Sequence, residues 1–164
     1  MKMLSLLALL PLAAAAEVVD FEGMPVGSPP AGWTIAKTGG GVAPQWEIVT
    51  DESSPAGARV LAQLSADATA ERFAIALHPN EPLANGAVTV RFKPVSGNVD
   101  RAAGIVWRYR DEDNYYLVRA NALEGNVVLY KVEQGRRTSL APAGKGGEHA
   151  VEAPVPSGRW STLR

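Results

Sequence analysis

The sequence predicts an all-β fold, and three observations carry that expectation. From Val18 onward the chain consists of short apolar or alternating runs separated by Gly, Pro, Asn and Asp. No stretch holds helical periodicity long enough to form an amphipathic helix. The composition, 164 residues with 46% hydrophobic and 20% charged, is that of one globular domain and excludes disorder and collagen. Nine short strands of this kind imply an antiparallel sandwich or barrel.

Taken in order, the first strand is expected over Val18–Phe21, before the turn chemistry that begins at Glu22-Gly23. Gly23–Pro44 is so rich in Gly and Pro that it reads as an ordered surface loop pinned by Trp33. Strands follow at Trp46–Val49, Arg59–Gln63, Arg72–Ala76 and Ala87–Lys93. The most legible region comes next: strands at Ala103–Arg110, Tyr115–Asn121, Val127–Glu133 and Arg136–Ala141, arranged as consecutive hairpins. Ala143–Gly147 reads as a loop, and no internal repeat is present.

A two-residue turn between Asp111 and Asn114 would set the register of the first hairpin. One face then carries Ile105, Trp107 and Tyr109 opposite Ala120, Val118 and Tyr116, and reads as core. The other carries Gly104, Val106, Arg108 and Arg110 opposite Asn121, Arg119, Leu117 and Tyr115, and reads as polar. A tight turn at Glu124-Gly125 would put Tyr130 beside Arg119 and Val128 beside Asn121. One extra turn residue would replace them on that face with Lys131 and Leu129.

Composition narrows function. Sixteen basic against seventeen acidic side chains, with no Lys or Arg run, give no field to attract nucleic acid. The absence of cysteine excludes disulfides, thiolate metal sites and a cysteine nucleophile. Lys2, the apolar run Met3–Leu12 and the small residues Ala13–Ala16 read as an export signal, cleaved after Ala16. That run is too short to span a membrane, which takes about 20 residues, and no integral membrane segment follows. The expectation is a leader over 1–16 and a single exported domain over 17–164, periplasmic or extracellular.

The run RAAGIVWRYRDEDNYYLVRANALEGNVVLYKVEQGRR, Arg101–Arg137, resembles the central hairpins of exported bacterial proteins of the concanavalin A-like lectin/glucanase superfamily. Within it, Gly104-x-x-x-Arg108, Asp111 and Asn114-Tyr115-Tyr116 are similar to the central motif of the 3-keto-disaccharide hydrolase or laminin G-like group. The similarity runs from Val18 to Arg164. It implies a jelly-roll β-sandwich of two antiparallel sheets. In that group the closing Gly158–Arg164 run resembles a strand start followed by further strands. A C-terminally truncated domain, with the Trp160–Leu163 strand left unpartnered, is therefore expected.

The chemistry points to recognition rather than turnover. No Glu has the Glu-x-Asp spacing of the superfamily's glucanases, so no catalytic residue is assigned. Arg108, Arg119, Asn121 and Tyr130 form the candidate ligand site, because Arg and Asn offer directional donors to sugar oxygens and an aromatic ring can stack on a pyranose face. The alternative is an outer face whose arginines pair with nearby acids. Asp111, Asp113 and Asn114 are hard oxygen ligands suited to calcium, with turn chemistry as the competing role. His78 and His149, the two histidines, read as solvated loop residues. Trp107 alternates with core positions and reads as packing.

These features predict a carbohydrate-binding, lectin-like domain. The resemblance implies an enzyme alternative, a glycoside hydrolase of the keto-disaccharide type. It would draw its acid or base from Asp111, Asp113, Glu124 or Glu133. An envelope interaction module is the third reading.

Overall fold

The computed structural model describes residues 17–79, 85–141, 144 and 149–164. The expected leader over 1–16 lies outside the described residues, as does the expected loop over 143–147 apart from Gly144. Among the described residues there is no helix, hence none long and apolar enough to cross a membrane. The strands are β1 Thr34–Thr38, β2 Trp46–Thr50, β3 Arg59–Gln63, β4 Phe73–Leu77, β5 Val90–Phe92 and β6 Ala102–Asp111. They continue as β7 Asn114–Asn121, β8 Asn126–Glu133, β9 Arg136–Ser139, β10 Ala150–Glu152 and β11 Ser161–Leu163. All their pairings are antiparallel.

The central sheet runs β10-β8-β7-β6. β9 pairs with the second half of β8, from Tyr130 to Glu133, and β10 pairs with the first half, from Asn126 to Val128. Three two-stranded units, β1-β4, β2-β3 and β5-β11, complete the fold.

Four expectations are corrected. Val18–Phe21 is not a strand: Val18 is exposed without a pairing partner, and the chain turns at once, with the Met24 N–H donating to the Phe21 carbonyl at 3.0 Å. The first strand is instead β1, inside the segment read as a loop, because Thr34-Ile-Ala-Lys-Thr38 pairs along its whole length with β4. Ala87–Lys93 shortens to Val90–Phe92, the length its partner matches. That partner is β11, so the Trp160–Leu163 run is not left unpartnered: Ser161 lies opposite Phe92 and Leu163 opposite Val90.

The turn between Asp111 and Asn114 forms as expected, and these two residues pair. Beyond it the register slips by two. Trp107 lies opposite Tyr116 and Gly104 opposite Arg119, because β6 bulges between Trp107 and Asp111. Gly104 is required at its pairing position, since an added Cβ would collide with the Val118 carbonyl oxygen. The β7–β8 register also slips by two. Asn121 and Asn126 flank the turn, Val128 lies opposite Arg119, and Tyr130 lies opposite Leu117. A slip of two keeps every side chain on its own face, so Tyr130 and Arg119 still share one.

The bulge itself reverses two residues. Arg108 takes φ +50° and its guanidinium lies over the Tyr116 ring, 5.9 Å from the centroid, on the Trp107 side. Tyr109 swings to the opposite face and stacks on Tyr115 at 5.8 Å.

Both faces of the sheet contribute to core, which corrects the expected division into an apolar and a polar side. Tyr115 and Val132 are buried against Ile75 of β4, with Val106, Leu117, Ala36 and Leu77 around them. The face read as polar is therefore covered, over half its length, by the β1-β4 pair. On the other face Ala120, Ala103 and Val127 pack against Phe92, Val155 and Leu163. Trp107 is half-buried and stacked on Tyr116 at 6.0 Å.

Candidate functional site

At the end of the β1-covered face away from the Tyr115 core, hydrophobic packing gives way to a polar network. Arg119 of β7 points toward the β7–β8 turn and meets Glu124 in a forked pair, Nη1 to Oε1 at 3.0 Å and Nη2 to Oε2 at 2.5 Å. Its Nη2 also donates to Asn126 Oδ1 at 3.1 Å. Asn121 is fully buried. Its Nδ2 donates to Asp100 Oδ1 at 2.6 Å and Glu124 Oε1 at 2.9 Å, while its Oδ1 accepts from the Leu123 N–H at 2.9 Å. Asn126 Nδ2 donates to Glu124 Oε2 at 3.1 Å.

This network explains the turn. Asn121 and Asn126 are the last and first strand residues, and their side chains tie down the carboxylate that the four-residue connection presents. Gly125 permits the φ of +62° that brings its N–H to the Asn121 carbonyl at 2.9 Å. The Arg119 guanidinium holds the Glu124 carboxyl below the usual range against the opposing effect of burial, with Asn126 and Asn121 adding to the shift. Glu124 stays ionised, and its side chain keeps 45% of its exposure.

The exposed side of Glu124 borders a cavity of about 720 Å³. Arg119, Asn126 and Tyr130 line it from the central sheet, Arg136 and Arg137 from β9, and Phe73 from β4. Gly39 and Gly40 close one rim, where Gly39 approaches the Glu71 carbonyl too closely for any side chain. Arg119 lies over the Tyr130 ring at 5.6 Å. Arg137 lies 4.6 Å from the same ring and 4.4 Å from the Phe73 ring.

Of the expected ligand residues, the structure brings Arg119 and Tyr130 together at the cavity wall and puts Asn121 directly behind it. Arg108 is not among them, because the bulge carries it to the other face of the sheet. Arg119 also meets the alternative weighed for it, since it pairs with an acid. Glu124 was legible only as a carboxylate near a turn, and Phe73, Asn126 and Arg137 were not anticipated. The Gln134-Gly135 turn was the available signal for Arg137: it puts Arg137 opposite Val132, on the Tyr130 face.

The expected calcium ligands sit in the β6–β7 turn. Asp111 Oδ1 accepts from the Asp113 N–H at 2.9 Å and Asn114 Nδ2 at 2.8 Å, and Asn114 Oδ1 accepts from the Gln134 N–H at 3.2 Å. Among the described residues no group of three His, Cys, Asp or Glu is placed to hold a metal ion. His78 is half-buried with its ring edge-on to Trp33 at 4.9 Å, and Trp33 also meets Phe21 at 5.8 Å. It is a packing residue rather than a solvated one. His149 lines the cavity.

No family model, no curated protein and no solved structure matches this chain.

Proposed function

We propose that this protein is a carbohydrate-binding domain whose glycan lies in the cavity between Glu124, Tyr130 and Arg137. The observation that carries the reading is the joint presence, in one 720 Å³ cavity, of an aromatic ring and a carboxylate held ionised by buried partners. A cavity of that size suits a short oligosaccharide. The Tyr130 ring offers a stacking surface, and the open side of Glu124 offers acceptors to sugar hydroxyls. Arg119 and Asn121 then act as positioning residues for Glu124. Both the jelly-roll architecture and the kinship with concanavalin A-like lectins belong to this reading, which draws support from the antiparallel layering and the Gly104-to-Tyr116 motif.

Hydrolysis is the weaker alternative. Cleaving a glycoside takes one carboxyl that donates a proton and a second that is ionised, and Glu124, held as the anion by Arg119, supplies only the second of these roles. The test is a glycan array with the full chain, alongside Glu124→Gln and Tyr130→Ala, with circular dichroism to verify folding. Retention that falls at least tenfold in both folded variants is the expected result. A folded wild-type protein that retains no glycan overturns the reading in favour of an interaction module.

A further inference from the structure

One rim of the cavity is formed by Gly39 and Gly40, which with Gly41 make a run of three glycines. Such a run has the least intrinsic ability to hold a shape. The stretch from Gly39 to Ala43 belongs to no strand, so no sheet ladder orders it. Charged side chains do so instead. Lys37 of β1 turns its half-buried side chain onto the run, and Nζ donates to the carbonyls of Gly39 at 2.9 Å, Gly40 at 2.8 Å and Gly41 at 2.8 Å. The three donors of one ammonium thus match three consecutive carbonyls. In a trans peptide the N–H points opposite the carbonyl, so the amides of Gly40, Gly41 and Val42 face away from Lys37. On that side Asp67 Oδ2 accepts from the Val42 N–H at 2.6 Å, and Arg72 Nε, 3.3 Å from the same oxygen, donates to the Val42 carbonyl at 3.0 Å. Hydrogen bonds from Thr69 and from the Val42 N–H hold the Asp67 carboxyl down at about 2, so this side of the clamp stays anionic at neutral pH.

We infer that Lys37 is a positioning residue for the cavity, its ammonium acting as a tethered cation that fixes the path of Gly39 and Gly40 before a glycan arrives. The inference rests on the cavity being the glycan site and says what keeps that site ready-formed. Three carbonyl oxygens converging on one nitrogen make a cradle that needs a cation at its centre, because aligned carbonyl dipoles repel one another. Stiffening the run with larger residues is closed to this fold. Gly39 and Gly41 take φ of +79° and +77°, and a Cβ would collide with the Glu71 carbonyl at the first and the Asp67 carboxylate at the second. Without the ammonium, a glycan would have to order the glycines as it bound, at a cost in affinity.

The experiment compares the full wild-type chain with Lys37→Ala, using as ligand the array oligosaccharide that the wild type retains best. A second readout is the nitrogen-relaxation order parameter of the Gly40 and Gly41 amides. It should be about 0.85 in the wild type and fall below about 0.6 in the variant. Affinity should fall on the order of tenfold. Ammonium chloride, whose ion fits the vacated cradle and donates to it, should recover most of both losses. Tetramethylammonium chloride at equal ionic strength, with no N–H to donate, should recover neither. Unchanged affinity in the folded variant, or a loss on which the two salts act alike, overturns the inference and leaves the glycan cavity standing. A wild-type protein that retains no array glycan overturns both. Should Lys37→Ala not fold, the wild type decides: its Lys37 ammonium protons must exchange with water measurably more slowly than those of a free lysine, and exchange at the free rate overturns the inference.

Discussion

The two ends of one sheet face, built from the same strands, have opposite chemistry. At one end Tyr115, Leu117 and Val132 are sealed beneath Ile75 and Ala36, and Thr38 closes the edge by hydrogen bonding the Tyr115 hydroxyl at 2.8 Å and the Glu112 carbonyl at 2.6 Å. At the other, Arg119 and Asn121 are almost as deeply buried, yet their neighbours are Glu124, Asp100 and Asn126. Burial is therefore not the difference. The apolar end gains by excluding water from hydrocarbon, whereas the polar end repays its desolvation with directional bonds that also aim a carboxylate outward.

The largest expected break in that comparison is Tyr115→Ala, which empties the centre of the apolar end. It should cost about 3–5 kcal/mol by urea unfolding, the range for a large aromatic removed from a core. Asn121→Leu tests the polar end. Similarly branched but bulkier, and unable to serve Asp100, Glu124 or the Leu123 N–H, it should cost at least about 2–3 kcal/mol. It should also weaken glycan retention, which Tyr115→Phe should leave unchanged if the two ends are energetically separate.

Arg108 offers a smaller test. Its φ of +50° is unfavourable for a side chain bearing a Cβ, so Arg108→Gly should stabilise the fold by about 0.5–1 kcal/mol. Glycan affinity should not change, because Arg108 faces away from the cavity. A loss of affinity would show that the bulge, and not only the Arg119 end, shapes the site.

Titration separates the ends most gently. Glu124 has a folded-state pKa below its ordinary 4.5, so its contribution is present above that value and is lost as pH falls through the lowered one. Tyr115 is shifted upward from 10.0, chiefly by burial. Its contribution is full below 10.0 and declines as pH rises toward the raised value. Stability measured across pH should show an acid limb reduced by Glu124→Gln and an alkaline limb reduced by Tyr115→Phe.

The parts of the molecule open to direct reading share a physical feature: local chemistry decides them. The Asp111-to-Asn114 turn depends on side chains bonding nearby backbone, and it forms where expected. The all-β character follows from period-two patterning between turn residues, and the strands from Ala102 to Ser139 follow it closely. Tyr130 shares a face with Arg119 because strand parity survives a register slip of two. β1 escaped reading because its Gly-rich and Pro-rich surroundings look like loop, and its strand character depends on pairing with β4, more than thirty residues away in sequence.

The candidate site divides in the same way. Arg119, Asn121 and Tyr130 were recognisable by residue type and alternation, whereas the bulge that removes Arg108 leaves no unambiguous mark in the residues around it. Pairing with Glu124 commits the Arg119 guanidinium to a carboxylate of its own hairpin. The cavity gains Arg137 and Phe73 only because β9 and β4, far apart in the chain, meet across it. Sequence alone determined the strand and turn alphabet and the parity of each strand, since these depend on neighbours a few residues apart. Which stretch of a face is covered was decided by tertiary packing, because it depends on β1 and β4 being brought from elsewhere in the chain over β7 and β8.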